Sequence, residues 1–80
     1  WQVFYTPENG IKVQIQSDKE ENFTWMLFEV SGKLLLKENK EIPQGMSLFE
    51  LPVNPKLAAG IYLLQAIGET SATAKKILVY

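Results

Sequence analysis

Hydrophobic and polar residues alternate along most of the chain, which is the pattern of β-strands that bury one face. The alternation is clearest at residues 11–16, where Ile11, Val13 and Ile15 are separated by Lys and Gln. Successive side chains of a strand point to opposite faces, so we expect these three β-branched residues in the core. No segment of useful length has the period of an amphipathic helix.

About seven short strands follow from this pattern and from turn signals every ~8–12 residues. The fourth opens at residues 34–36 and fades through residues 37–41, whose alternating charges are typical of a sheet edge because charge discourages unwanted pairing. A charged loop is predicted at residues 17–22 and a tight turn at residues 31–33. The predicted strands are residues 1–5, 11–16, 23–30, 34–41, 46–51, 61–67 and 73–79.

This succession of strands predicts an all-β fold, an immunoglobulin-like antiparallel β-sandwich of about seven strands, in which Trp25 suits the core position of the third strand. Residues 57–64, Leu-Ala-Ala-Gly-Ile-Tyr-Leu-Leu, have the form of a tyrosine corner. In a corner the Tyr62 hydroxyl bonds a backbone group a few residues upstream, and Gly60 supplies a φ that a residue with a Cβ resists. The alternative is a plain turn before a strand, with Tyr62 half buried.

The amino-acid composition of the chain argues against several classes of function. The chain has no Cys and no His, which excludes a disulfide framework and nucleophilic catalysis through a His base. Eight lysines against nine acids give a net charge of −1, which argues against nucleic acid as a partner. No apolar run approaches the ~18 residues of a transmembrane segment. Because the chain opens at Trp1 rather than Met, we expect residues 1–80 to be a single domain at the end of a longer protein.

Carboxylates are the remaining candidates for chemistry. The glutamates are spread along predicted loops and edges, which favours a solvated surface over a catalytic pair, so we expect no catalytic residue and no enzyme. Asp18, Glu20, Glu21 and Asn22 crowd oxygen ligands into one loop of the kind that calcium prefers, but without an ordered ligand spacing and with Lys19 among them. We therefore predict no metal and no cofactor.

Several predicted strands are apolar on both faces. Ile61 and Leu63 alternate with Tyr62 and Leu64, and residues 77–80 are all apolar. A two-sheet sandwich buries only one face of each strand. Either loops fold over the apolar residues of the outward faces, or these residues remain an exposed patch of the kind that marks an interaction site.

Three segments together resemble a known family. They are Val-Ser-Gly-Lys-Leu-Leu at residues 30–35, the corner segment at residues 57–64, and the terminal Lys-Lys-Ile-Leu-Val-Tyr at residues 75–80. In this order they resemble the C-terminal sorting domain of the type IX secretion system (the Por secretion system) of Bacteroidetes. The family commonly has Asp before its Val-x-Gly-Lys turn, where this chain has Glu29, so both a cleaved signal and a retained terminal domain stay open.

The resemblance implies a small immunoglobulin-like sandwich at the C-terminus of exported proteins. It implies protein partners, namely an outer-membrane translocon and a sortase-like surface protease, and passage through the periplasm to the cell surface or the medium. The upstream domain of the same chain is a further expected partner. Carried over by motif, the sorting and recognition residues are Gly32, Lys33, Gly60, Tyr62, Lys75, Lys76, Ile77 and Val79. The alternative is a structural accessory sandwich of a bacterial surface protein that packs on a neighbouring domain.

Overall fold

Seven β-strands form two packed antiparallel sheets in the computed structural model, which describes residues 1–8, 10–53 and 57–80. The prediction of an all-β, immunoglobulin-like sandwich of about seven strands is confirmed. None of these residues form a helix that is long and apolar enough to cross a membrane. The strands are β1 (Gln2–Thr6), β2 (Gly10–Ser17), β3 (Glu21–Glu29), β4 (Leu34–Ile42), β5 (Gly45–Leu51), β6 (Gly60–Ile67) and β7 (Ala72–Val79).

The strand order divides the chain into a three-stranded sheet, β1-β2-β5, and a four-stranded sheet, β4-β3-β6-β7. Every pairing is antiparallel. The inner strands of the larger sheet are β3 and β6, and its edges are the charged β4 and the last strand, β7. The prediction that the charged fourth strand lies at an edge is therefore confirmed.

The core lies between the two sheets, where the inward residues of each strand meet. Ile11, Val13 and Ile15 are buried as predicted. Trp25 of β3 is fully buried at the centre, and two aromatic rings approach it edge-on: Trp1 at 5.3 Å and Phe49 at 5.2 Å between ring centroids. Because Phe49 belongs to β5, these ring contacts join the two sheets.

Strands β3 and β4 are longer than the sequence pattern predicts. Glu21 pairs with Ile42, so β3 begins inside the segment predicted as a charged loop. Ile42 is buried and ends β4, whose inward Glu38 and Lys40 are only half exposed. The Lys40 Nζ lies 5.7 Å from the centroid of the Phe49 ring. Lys40 is accommodated here because its apolar stem can cover the side of the sandwich. Glu38 differs, because its Oε2 is buried without a hydrogen-bond partner among the described residues.

Glu21 is the one charged side chain among the described residues that is buried, with 6% exposed. Its Oε1 accepts hydrogen bonds from the backbone N–H groups of Glu69 (2.7 Å) and Thr70 (3.3 Å), in the turn between β6 and β7. Gly68 N–H closes the same turn by donating to the Ser71 carbonyl at 2.7 Å. The carboxylate that was a candidate calcium ligand thus accepts bonds from backbone donors and ties β3 to the last hairpin.

We expect Glu21→Ala to lower the free energy of unfolding by about 1.5–3 kcal/mol, because hydrogen bonds to a charged group are lost. Urea denaturation of the purified domain measures this. The control is Glu69→Ala, which removes an exposed carboxylate that, among the described residues, accepts the Asn22 N–H at 3.3 Å, and which is expected to matter less. Equal urea midpoints for Glu21→Ala and the wild type would show that the buried carboxylate does not hold the hairpin.

Two other acidic side chains near the start of β3 interact unfavourably. A hydrogen bond to Glu41, then repulsion by the Glu41 charge and a little desolvation, raise the pKa of Glu20 above its ordinary value. A raised pKa means that the folded state binds the proton more tightly than the unfolded chain does. The free energy of unfolding therefore falls as the pH rises through the ordinary and then the raised pKa.

Glu20→Gln is accordingly expected to raise the melting temperature at pH 7, because it removes the repulsion from Glu41. The gain should disappear below about pH 4, where the Glu20 carboxyl is largely protonated and carries no charge to be repelled. Melting curves across this pH range test it, with Asp18→Asn as the control for net charge in the same loop. A gain that is constant with pH would contradict the assignment to Glu20 and Glu41.

Candidate functional site

The tyrosine corner forms at the start of β6. The Tyr62 hydroxyl donates a hydrogen bond to the Ala58 carbonyl, four residues upstream, at 2.6 Å, and the Tyr62 side chain is buried. Gly60 has a φ of +156°, in a region that is essentially restricted to glycine. Leu57 packs against the core, and its N–H donates to the Tyr5 hydroxyl at 3.2 Å. The predicted corner is confirmed, and it is also tied to β1.

The turn between β3 and β4 contains the second family motif. Gly32 N–H donates to the Glu29 carbonyl at 2.8 Å, and Glu29 N–H donates to the Lys33 carbonyl at 3.0 Å. This is a three-residue hairpin loop, in which a β-turn is followed by a residue with positive φ. Gly32 takes that position with a φ of +94°, which explains why glycine precedes Lys33. The predicted tight turn is confirmed.

The outward side of the four-stranded sheet is strongly apolar. In the strand register Leu34, Phe28, Leu63 and Lys76 form one row across β4, β3, β6 and β7, and Ile61 pairs with Leu78 in the next row. We call these six residues the outer face. Ile61, Leu63 and Leu78 are 47%, 41% and 51% exposed. No loop of the described residues folds over them, so the apolar surplus predicted from the sequence remains on the surface.

A groove of about 330 Å³ lies at one end of the outer face, beside the β3–β4 turn. Lys76 and Gly32, which belong to two distant motifs in the sequence, both line it. Ile61 and Leu63 supply apolar walls, and the Glu29 carboxylate at the rim accepts a hydrogen bond from the Ser31 hydroxyl at 2.8 Å. The groove therefore combines an apolar surface with one lysine and one carboxylate.

The structure places the predicted recognition residues in three different environments. Tyr62, Ile77 and Val79 are buried in the core. Gly32 and Lys76 line the groove on the outer face. The other residues occupy neither place: Lys33 follows the turn, Gly60 opens β6, and Lys75 lies on the opposite side of β7 from Lys76. Some of the predicted recognition residues thus stabilise the fold, and others lie at the surface.

Lys75 lies beside Trp1. Its Nζ lies 5.7 Å from the centroid of the Trp1 ring, in the range of a cation–π contact. The Trp1 indole N–H donates to the Thr73 hydroxyl at 2.7 Å. These contacts join the first residue of the described chain to the last strand, and they explain how a lysine is accommodated in an inward-facing position of β7.

Sequence reasoning did not predict Phe28 and Leu34 as part of the candidate site. Their outward direction follows from strand alternation, but their place beside Leu63 and Lys76 depends on the register of three strand pairs. A register bulge between Leu27 and Phe28 also intervenes. The available signal was the run of apolar residues on both faces of β3 and β6.

The chemical groups of the outer face are apolar and charged side chains. Among the described residues there is no group of three or more Asp or Glu side chains that could hold a metal ion. The outer face offers apolar area, a concave groove and lysine ammonium groups. Such a surface is suited to hold a partner by burial of apolar area and by charge.

Two antiparallel sheets in the order β1-β2-β5 and β4-β3-β6-β7, with a central Trp25 and a corner at Tyr62, define an immunoglobulin-like β-sandwich domain. Residues 2–80 match the model of one protein family, described as the secretion system C-terminal sorting domain. The chain belongs to this family, the C-terminal sorting domains of the type IX secretion system. Comparisons with curated proteins and with solved structures give no match.

Family membership indicates the general class of function of this domain. The family is one of sorting signals and is not an enzyme family. It implies interaction with the secretion machinery and export across the outer membrane, and the source is implied to be a member of the Bacteroidetes.

Proposed function

We propose that this domain is a non-enzymatic sorting signal and binding module that directs its host protein through the outer membrane by the type IX secretion system. The observation that carries the proposal is the family match over residues 2–80, which spans all seven strands rather than one short motif. The signal is therefore the folded sandwich. Its partners are the outer-membrane translocon and, where the domain is cleaved, a sortase-like surface protease.

Recognition uses the shape of the sandwich and its strand edges. Strand β7 lies at the edge of the four-stranded sheet, where one side of its backbone has no neighbouring strand in that sheet. Such an edge can accept a strand of a partner. Of the proposed recognition residues, Tyr62, Ile77 and Val79 act by holding β6 and β7 in place, whereas Gly32, Lys33 and Lys76 are presented at the surface.

The alternative function is that of an accessory domain which packs on a neighbouring domain of the same chain. The exposed outer face favours it, because apolar area of this kind is also typical of an interface between domains. The two functions differ in whether the domain depends on a particular neighbouring domain. A sorting signal acts on any cargo to which it is joined, whereas an accessory domain needs its own neighbour.

The test joins residues 1–80 to the C-terminus of an unrelated periplasmic reporter in a Bacteroidetes host. We expect the reporter at the cell surface or in the medium when the domain is present, and in the periplasm without it. If the intact, folded domain directs no export, the sorting function is wrong and the accessory function takes its place.

Single lysine substitutions refine the same assay. Lys76→Ala removes a surface charge beside the groove, whereas Lys75→Ala removes the contact with the Trp1 ring. We expect Lys76→Ala to impair export with an unchanged melting temperature and Lys75→Ala to lower the melting temperature. The double variant should be impaired while still folded. Full export by the double variant would contradict a role for either lysine in recognition.

A further inference from the structure

The outer face has the composition of a binding surface. Leu34, Ile61, Leu63 and Leu78 are all between 41% and 51% exposed. They come from β4, β6 and β7, so they form one continuous surface across the sheet rather than scattered single residues. Contiguous apolar area of this kind on a small domain marks a site of interaction.

Lysines stand on both sides of this surface. Lys37 of β4 pairs with the outward Met26, and Lys76 of β7 pairs with Leu63, so both lysines project from the side that carries the outer face. Both are exposed, and within the described chain neither has a carboxylate within the 4.0 Å of an ion pair. Their positive charge is therefore available to a partner.

The outward side of the other sheet shows the contrast. There Lys12 pairs in register with Glu50, and their side chains form an ion pair at 4.0 Å. Gln14 and Gln16 continue the outward row of β2. That side also exposes Phe4, Met46 and Leu48, so exposed apolar area alone does not distinguish the two sides. The difference is in charge: Lys12 is paired with Glu50, whereas Lys37 and Lys76 beside the outer face are in no ion pair among the described residues. Within the part of the chain that the structure describes, the unpaired lysines beside the outer face give it a charge pattern that complements an anionic partner.

We propose that the outer face docks an acidic protein surface of the export machinery, which inserts an apolar side chain into the groove and places carboxylates against Lys37 and Lys76. This inference rests on the proposed function and names the surface that performs it. The groove of about 330 Å³ favours a protein over a membrane, because a concave site receives a side chain and a bilayer presents a broad face.

The experiment uses the reporter carrying the whole domain, with two variants on the outer face and two matched controls. Lys76→Glu reverses a charge on the face, and Lys19→Glu reverses one in the exposed β2–β3 loop. Leu63→Ser removes apolar area from the face, and Leu48→Ser removes it from the other sheet, where Leu48 is 65% exposed. Melting curves select variants that remain folded.

We expect export to fall about tenfold with Lys76→Glu and with Leu63→Ser, as for loss of one central interface contact worth about 1.4 kcal/mol. Lys19→Glu and Leu48→Ser should export like the wild type. If the wild-type domain exports the reporter and all four folded variants export equally, the inference is wrong and the sorting function stands. If the wild-type domain does not export, the sorting function itself has failed.

A photo-crosslinking amino acid at position 63 identifies the occupant during export, with position 48 as the control. We expect an adduct with a second protein of the cell envelope at position 63 only, and its yield should fall with Lys76→Glu. An adduct with another copy of the domain, with lipid or with the cargo overturns the proposal. So does the absence of any adduct, or an adduct whose yield does not respond to the charge at position 76.

Discussion

Replacing Gly60 by Val is expected to lower the free energy of unfolding by about 2–3 kcal/mol, more than any exposed substitution in the domain. The cause is conformational: a φ of +156° costs a residue with a Cβ on the order of 1–3 kcal/mol, and β-branching adds to it. Space is available, because the nearest atom to a Cβ at position 60 is Tyr62 Cε2 at 3.9 Å. Gly60→Ala should therefore show most of the same loss.

Tyr62→Phe tests the other half of the corner. It removes the hydroxyl that bonds the Ala58 carbonyl at 2.6 Å, and we expect a loss of roughly 1 kcal/mol or more. Tyr80→Phe is the matched control, because the Tyr80 side chain is fully exposed. Urea denaturation compares all four variants with the wild type. Midpoints for Gly60→Val and Tyr62→Phe that equal the wild-type midpoint would show that the corner does not stabilise the fold.

Local signals explain how much of the fold could be predicted from the sequence. Alternation places Ile11, Val13 and Ile15 in the core without knowledge of any partner strand. The hydrogen bond of the corner joins the Tyr62 hydroxyl to the Ala58 carbonyl, only four positions apart, so the residues of the corner are recognisable together in the sequence. The turn at Gly32 is likewise closed within a few residues. Interactions between residues a few positions apart can be recognised from a short segment of the sequence.

Interactions over long sequence separations could not be predicted in this way. The Glu21 carboxylate bonds the backbone of Glu69, 48 residues away, and Trp1 bonds Thr73, 72 residues away. Nor does alternation decide which lysine faces inward, because residues 77–80 are apolar in both registers. That choice depends on the packing of Ile77 and Val79 between the sheets. The candidate site could not be predicted for the same reason. Gly32 and Lys76 line one groove only because β3, β6 and β7 pair with each other.

Deletion of residues 75–80 is expected to abolish both the folded sandwich and export. It removes Ile77 and Val79, which are buried, together with most of the β6–β7 pairing. Burial of two such side chains contributes about 1.5–3 kcal/mol each. Stabilities of roughly 0.05–0.15 kcal/mol per residue give about 4–12 kcal/mol for a chain of this length, so the loss is comparable to the whole. We expect the reporter to be trapped in the periplasm.

Two neighbouring substitutions separate folding from recognition, which the deletion alone cannot do. Ile77→Ala acts on a core residue and should cost about 2–5 kcal/mol, whereas Leu78→Ala acts on the 51% exposed outer face and should leave the melting temperature nearly unchanged. If the folded sandwich is the signal, export with Ile77→Ala will follow the folded fraction as temperature is varied. Export with Leu78→Ala will be reduced at every temperature through the loss of the docking surface. Full export of an unfolded Ile77→Ala domain would mean that the machinery reads the terminal residues as an extended peptide, and the folded sandwich would then have no part in sorting.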